Sequence, residues 1–337
     1  MRRYARRYFI FTIEFFYDKL VAVRDYLSDK ENNMSSSRNK TINITLEEGR
    51  ELLSLCEFQK GKKDEEEIKN RFYNADFFTA VKNFPDACAD LVIADPPYNL
   101  RKDYGGEVFS RKKNDEYEEF TRKWLSEVKR LLKPDGSIYV CCDWQSSLII
   151  GRILPEFFTV RNRITWQREK GRGAKKNWKN SMEDIWFCTV GSDYTFNLNA
   201  VKIKKRVIAP YKENGVPKDW KKTEDGNFRM TCPSNFWDDI TVPFWSMKEN
   251  TAHPTQKPEK LIAKLILASS AKGQLVFDPF AGSGTTAVTA KKLNRSYLCV
   301  EKNPRYCIWA QRRLINADSD KTIQGYDGKV FYERNVK

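Results

Sequence analysis

Four consecutive residues, Asp95-Pro96-Pro97-Tyr98, close the apolar run Asp90-Leu91-Val92-Ile93-Ala94. A carboxylate, a carbonyl on a residue without an N–H, and an aromatic ring at this spacing suit work on an amine whose lone pair is delocalised into a ring. Asp95 can accept one amine hydrogen and the Pro96 carbonyl the other, because proline brings no competing backbone donor. Two acceptors favour the pyramidal amine that attacks, and they stabilise the positive charge that develops on nitrogen. Pro97 stiffens the turn, and Tyr98 offers a face on which a base turned out of a duplex can stack. The plainer reading is a Pro-Pro turn capped by Asp95.

A second group is Asp278-Pro279-Phe280-Ala281-Gly282-Ser283-Gly284-Thr285, with Glu301 19 residues past Gly282. A Gly-x-Gly turn between a strand and a helix lets the backbone approach a nucleotide-like ligand, and an acid ending the next strand can accept from both ribose hydroxyls. Ala287 stands where a dinucleotide fingerprint has its third glycine, and no lysine follows Gly284 as in a phosphate-binding loop. An adenosyl ligand without phosphates fits better than NAD or ATP. A tight turn with no ligand is the alternative.

A third group, His253-Pro254-Thr255-Gln256-Lys257-Pro258, leads into a helix. Lys257 can pair with a ligand carboxylate and Thr255 can hydrogen-bond nearby. By itself this is only a helix start, and His253 reads as a turn residue. The fourth is basic: Lys170-Gly171-Arg172-Gly173-Ala174-Lys175-Lys176-Asn177-Trp178-Lys179. Lys170, Arg172, Lys175, Lys176 and Lys179 are candidates for phosphate contacts; the other reading is a solvated charged loop.

The elements around these groups alternate. Asp90–Ala94 reads as a buried parallel strand stopped by two prolines. Residues 114–132 read as a helix, with Phe120, Trp124, Val128 and Leu131 on one face. Lys133-Pro134-Asp135-Gly136 reads as a turn and Ser137–Cys142 as another strand. A second strand–helix–strand unit follows: a helix over 258–271, a strand from Gln274 to Asp278, a helix through Leu293, a strand ending at Glu301 and a helix over 303–315. This pattern predicts the α/β class with a mostly parallel sheet. Residues 41–72 are charged and expected to be helical. The expected divisions are an N-terminal extension over 1–40, a catalytic half over 41–159, a basic insert over 160–250, a ligand half over 251–320 and a tail over 321–337.

The chain has 337 residues and a formal charge of +15, a surplus that favours a polyanionic partner. Residues 161–249 carry 18 Lys+Arg against 11 Asp+Glu, nearly half of that surplus. Eight cysteines contain no C-x-x-C pair, and His253 is the single histidine, so no metal site is expected. Several cysteines lie in apolar runs and read as buried thiols of a reducing compartment. No apolar run approaches the ~20 residues that span a bilayer. Arg2, Arg3, Arg6 and Arg7 before Tyr8–Ile13 imitate a signal peptide, but Glu14 interrupts the run and no cleavage site follows. A cytoplasmic location is expected. Residues 1–34 are open between a docking helix, a leader and an upstream start.

Together these groups resemble the amino DNA methyltransferases, over about residues 70–316. Their order, with Asp-Pro-Pro-Tyr first, then the basic region, then His-Pro-Thr-Gln-Lys-Pro and Phe-x-Gly-x-Gly, resembles the β class, a circularly permuted group of bacterial restriction–modification and cell-cycle methylases. The resemblance implies a Rossmann-like fold that binds S-adenosylmethionine, and methyl transfer to adenine N6 in double-stranded DNA by base flipping. It implies that Asp95, Pro96 and Tyr98 hold the target base, and that Phe280, Gly282 and Gly284 line the cofactor site, with Asp278, Ser283 and Thr285 beside them. Glu301 would take the ribose, Thr255 and Lys257 the cofactor side, and Asp76 the adenine ring, although the glycine usual before that acid is missing. Residues 160–250 would recognise the target sequence. An aspartate at the first catalytic position is commoner for adenine N6 and serine for cytosine N4, which leaves N4-cytosine as the alternative. An RNA substrate and a non-catalytic DNA-binding protein are the remaining readings. Cytosine C5 chemistry is discarded because Cys232 precedes Pro233 and Cys141-Cys142 lie within a strand. Any restriction nuclease is expected in a separate chain, and a homodimer rests on analogy alone.

Overall fold

The computed structural model describes residues 38–58, 61–100, 102–103, 108–168, 176–207, 211–224 and 226–333. The readings of residues 1–34 lie outside them. The apolar runs form an eight-stranded sheet with strands β1 (Arg71–Asn74), β2 (Ala89–Ala94), β3 (Leu132–Cys142), β4 (Thr159–Gln167), β5 (Met182–Thr189), β6 (Phe236–Trp237), β7 (Leu275–Asp278) and β8 (Ser296–Glu301). Their spatial order is β1-β8-β7-β2-β3-β5-β4-β6. From β1 to β3 every neighbouring pair is parallel, and β5 runs antiparallel to both β3 and β4. The mostly parallel α/β architecture is therefore the one expected.

Both faces of the sheet are covered, which is why its central strands are apolar throughout. Along β2, Leu91 and Ile93 enter one core and Val92 and Ala94 the other. The first core is closed by helices α1 (Leu46–Ser54), α5 (Glu259–Ser269), α6 (Thr285–Lys292) and α7 (Pro304–Ser319). The second is closed by α2 (Phe77–Ala80), α3 (Asn114–Leu131) and α4 (Trp144–Ile153). On α3, Trp124, Val128 and Leu131 are fully buried while Phe120 packs at the margin. Each such large side chain contributes about 1.5–3 kcal/mol on burial. Asp115 and Glu116 in the first turn of α3, and Lys129 and Arg130 in the last, complement its dipole.

Three expectations change. Among the described residues of 41–72 the helix is only α1, opened by a capping box between Thr45 and Glu48; residues 65–70 are turns. The run Lys62 to Glu67 has no apolar stripe to dock a helix. Lys133–Gly136 do not separate α3 from β3 but lie within β3: Ala89 pairs with Leu132 and Leu91 with Ser137, so these residues are bulged out of the ladder. Finally, residues 326–332, read as tail, join a five-stranded sheet ordered Lys221–Thr223, Gly226–Thr231, Ile203–Arg206, Val330–Tyr332, Tyr326–Asp327. Phe331 is fully buried and packs at a tilt against Tyr326, with 4.5 Å between ring centroids. Residues 159–189 of the basic region supply two strands of the main sheet. No helix among the described residues is long and apolar enough to cross a membrane.

Candidate active site

Neighbouring parallel strands β1, β8, β7 and β2 end at one edge of the sheet. Four acids follow from that geometry: Asp76 just past β1, Glu301 ending β8, Asp278 ending β7 and Asp95 just past β2. All four line one cleft of about 430 Å³. Open α/β sheets place ligands beyond their strand C-termini in this way.

On one side of the cleft, Tyr98 Oη donates to Asp95 Oδ1 at 2.8 Å and lies 3.2 Å from Glu183 Oε2. Lys257 Nζ donates to Asp95 Oδ2 at 2.6 Å and stands 3.1 Å from Tyr98 Oη and 3.3 Å from Glu183 Oε2. The Pro97 carbonyl accepts from Tyr117 Oη at 3.1 Å, whereas the Pro96 carbonyl has no hydrogen-bond donor among the described residues. Ser146 Oγ accepts from the Asn99 N–H, and the Asn99 side chain bonds the Lys112 backbone in both directions, which pins the loop after Tyr98. Burial works against the Lys257 ammonium, but the carboxylates of Asp95 and Glu183 more than offset it and raise its pKa. Burial, with the same two carboxylates, holds the Tyr98 phenol well above its ordinary value. The phenol thus stays a donor.

On the other side, both Glu301 oxygens accept backbone N–H groups, from Gly282 at 2.8 Å and Asn303 at 2.7 Å. Asn74 steadies this strand end by donating to the Glu301 and Lys302 carbonyls. Gly282 has φ +53°, and a Cβ there would stand 3.0 Å from His253 Nε2. His253 packs edge-on against Tyr306, and its Nδ1 accepts from the Thr255 N–H. Thr285 Oγ1 donates to the Lys257 carbonyl at 3.1 Å, so the glycine turn is tied to the lysine segment. Arg313, 2% exposed, donates to the Ser283 carbonyl and Thr285 Oγ1 and pairs with Glu259. Asp278 accepts from the Phe280 N–H and from Thr286 Oγ1; burial pushes its carboxyl up to about 7. The Phe280 ring packs at a tilt against Phe77 and perpendicular to Trp124. Asp76 caps α2 through the Thr79 N–H.

The cleft therefore gathers Asp95, Pro96, Pro97, Tyr98, Asp76, Thr255, Lys257, Asp278, Phe280, Gly282, Ser283, Thr285 and Glu301. Gly284 is not among its lining residues: with φ +77°, a Cβ there would fall 2.6 Å from Ala310 Cβ, so this glycine permits close packing of the turn on α7. Lys257, expected on a ligand carboxylate, is engaged by Asp95. Lys176 and Lys179 are exposed and do not line the cleft, and Trp178 between them is 93% exposed. Lys170, Arg172 and Lys175 lie outside the described residues. Sequence reasoning missed Glu183, Arg313 and Asn74. The available signal for the first was Glu183-Asp184, two acids inside an otherwise apolar strand.

Residues 89–312 match the family model described as DNA methylase. The chain is 36% identical over 251 residues to the Type II methyltransferase M.HpaI of Haemophilus parainfluenzae, covering 74% of this chain and 73% of that one. It is 33% identical over 248 residues to the DNA adenine methyltransferase YhdJ of Escherichia coli (strain K12), covering 72% and 81%. Among solved structures, the M1.HpyAVI–SAM complex aligns with TM-score 0.50 at 23% identity over 72% of this chain and 98% of that one. The cytosine-N4-specific PvuII DNA methyltransferase aligns with TM-score 0.53 at 17% identity over 78% and 93%. These two structural likenesses speak to the fold alone.

Proposed function

This chain belongs to the DNA methylase family, and on that premise we propose that it transfers a methyl group from S-adenosylmethionine to N6 of adenine in double-stranded DNA. The observation that carries the reading is the shared cleft: the Asp95–Tyr98 pair and the Gly282–Glu301 turn end adjoining parts of one sheet and face one space.

The residues fit the cofactor. Glu301, held by two backbone N–H groups, keeps lone pairs for ribose hydroxyls. Gly282 leaves a cradle that a Cβ would fill against His253. Asp76 and Phe280 face the same space and suit an adenine edge and face. S-adenosylmethionine, when bound, supplies an electrophilic methyl group on a sulfonium.

The base side does the rest. Asp95 accepts one hydrogen of the target amine, and the Pro96 carbonyl, which no described residue engages, accepts the other. These acceptors localise the nitrogen lone pair and stabilise the charge that appears as the amine attacks; the cofactor's sulfur would leave as a neutral thioether, and the surplus amine proton would pass by way of Asp95 to solvent. Tyr98 holds its ring against the flipped base and its hydroxyl on Asp95. Lys257 orders this pair from the cofactor side. The basic surplus, with Lys176, Trp178 and Lys179 exposed, meets the phosphate backbone. Adenine is preferred to cytosine on the carboxylate at position 95 and on the relative named as an adenine methyltransferase. The relative named Type II methyltransferase M.HpaI supports methyl transfer; that any nuclease resides in a separate chain is part of the proposal.

The test is chemical. The protein is incubated with methyl-labelled S-adenosylmethionine and mixed-sequence DNA, which is then digested to nucleosides. Label is expected in N6-methyladenine; label in N4-methylcytosine alone would overturn the adenine assignment.

A further inference from the structure

Glu183 sits within β5, 3% exposed, and does not line the cleft. It nevertheless reaches two groups that do. Its Oε2 is 3.3 Å from Lys257 Nζ and 3.2 Å from Tyr98 Oη, while its Oε1 lies 2.5 Å from Arg168 Nη1. The strand pleat separates it from its neighbour: Asp184 turns instead to Ser147 and Thr165, which donate to its two oxygens. A desolvated carboxylate in a strand of Ile, Trp and Phe is costly unless its charge is used.

The arrangement of charges suggests the use. Asp95 has one oxygen on Tyr98 and the other on Lys257. An amine presented to Asp95 must share an oxygen with one of them. If Asp95 were the only carboxylate within reach, the ammonium would hold it firmly. Glu183 offers the ammonium and the phenol a second acceptor, behind the cleft wall. Arg168, two residues before Lys170, balances the additional charge, so that Lys257 and Arg168 face Asp95 and Glu183 as a neutral cluster.

We infer that Glu183 is a positioning residue for methyl transfer: it holds Lys257 and Tyr98 from behind so that an Asp95 oxygen can turn to the target amine. The inference rests on the proposed amine chemistry at Asp95.

Glu183→Gln keeps the shape and removes the charge. In the transfer assay, with parent and variant at saturating S-adenosylmethionine and DNA, kcat is expected to fall about tenfold to a hundredfold. Cofactor affinity by calorimetry is expected to stay within about threefold of the parent, since Glu183 does not itself line the cleft. Glu183→Asp keeps the charge one methylene further back, and its kcat is expected between the two. A Glu183→Gln kcat within about twofold of the parent overturns the inference. So does a kcat that falls only in step with cofactor affinity and melting temperature, because that marks a structural strut. If Glu183→Gln does not fold, Glu183→Asp decides, with parent-like kcat overturning the inference. A parent chain that methylates no DNA overturns the proposed function, and this inference with it.

Discussion

Asp278→Asn separates burial from charge at the centre of the cleft. Asp278 is 4% exposed, and burial moves its carboxyl from an ordinary 3.8 to about 7, against the pull of the Thr286 hydroxyl and the Phe280 N–H. The folded chain therefore holds a proton that the unfolded chain has already released in the window between those values. Stability from this group is complete below the unfolded value and is lost as pH rises through about 7. The raised value corresponds to about 4 kcal/mol across the window. Asparagine resembles the neutral acid: its Oδ1 can still accept from the Phe280 N–H, and its Nδ2 can donate to Thr286 Oγ1. The variant is expected to gain on the parent by about 3 kcal/mol between pH 5 and pH 8, the rest of the window lying below pH 5. Unfolding followed by the fluorescence of the nine tryptophans at both pH values reads the difference. A variant less stable than the parent by the same amount at both would refute the burial argument.

Other perturbations discriminate further parts of the site. Tyr98→Phe keeps the ring but leaves Asp95 and Glu183 without the phenol donor; steady-state kinetics should show kcat about tenfold lower with little change in KM for DNA, whereas Tyr98→Ala raises that KM as well. Lys257→Met leaves two carboxylates around Tyr98 without their ammonium, and urea unfolding should register a loss of about 3–5 kcal/mol; less than about 1 kcal/mol would count against the ion cluster. Gly284→Ala, at φ +77° and 2.6 Å from Ala310 Cβ, should lower the melting temperature more than Gly282→Ala, at φ +53° and 3.0 Å from a ring nitrogen. Only Gly282→Ala should weaken cofactor affinity beyond its effect on stability. Replacing Lys176 and Lys179 together by alanine should flatten the slope of log affinity for DNA against log salt by about 2.

Local patterns made much of this legible. The run before Asp95 is apolar throughout because β2 is buried on both faces, and the spacing of Trp124, Val128 and Leu131 follows from α3 lying on the sheet. The strand ends at Asp95, Asp278 and Glu301 were marked by proline or glycine directly after the acid or shortly beyond it. What remained hidden depends on contacts between distant segments. Asp95 meets Lys257 across 162 positions, and Glu183 joins them from a strand read as part of an insert. Gly284 looks like a ligand-facing glycine from spacing alone; only the approach of Ala310 on α7 shows what it accommodates. Likewise, Lys133–Gly136 carry turn residues, yet they bulge within a ladder whose register is set by β2.

Asp95 and its partners, on this reading, act on the amine rather than merely capping a turn. Label transfer to DNA by Asp95→Ala and by the parent separates the two roles, with cofactor affinity measured on the same samples. Transfer by Asp95→Ala is expected to fall about a hundredfold or more while S-adenosylmethionine still binds; equal transfer by the two proteins would show that Asp95 takes no part in the chemistry.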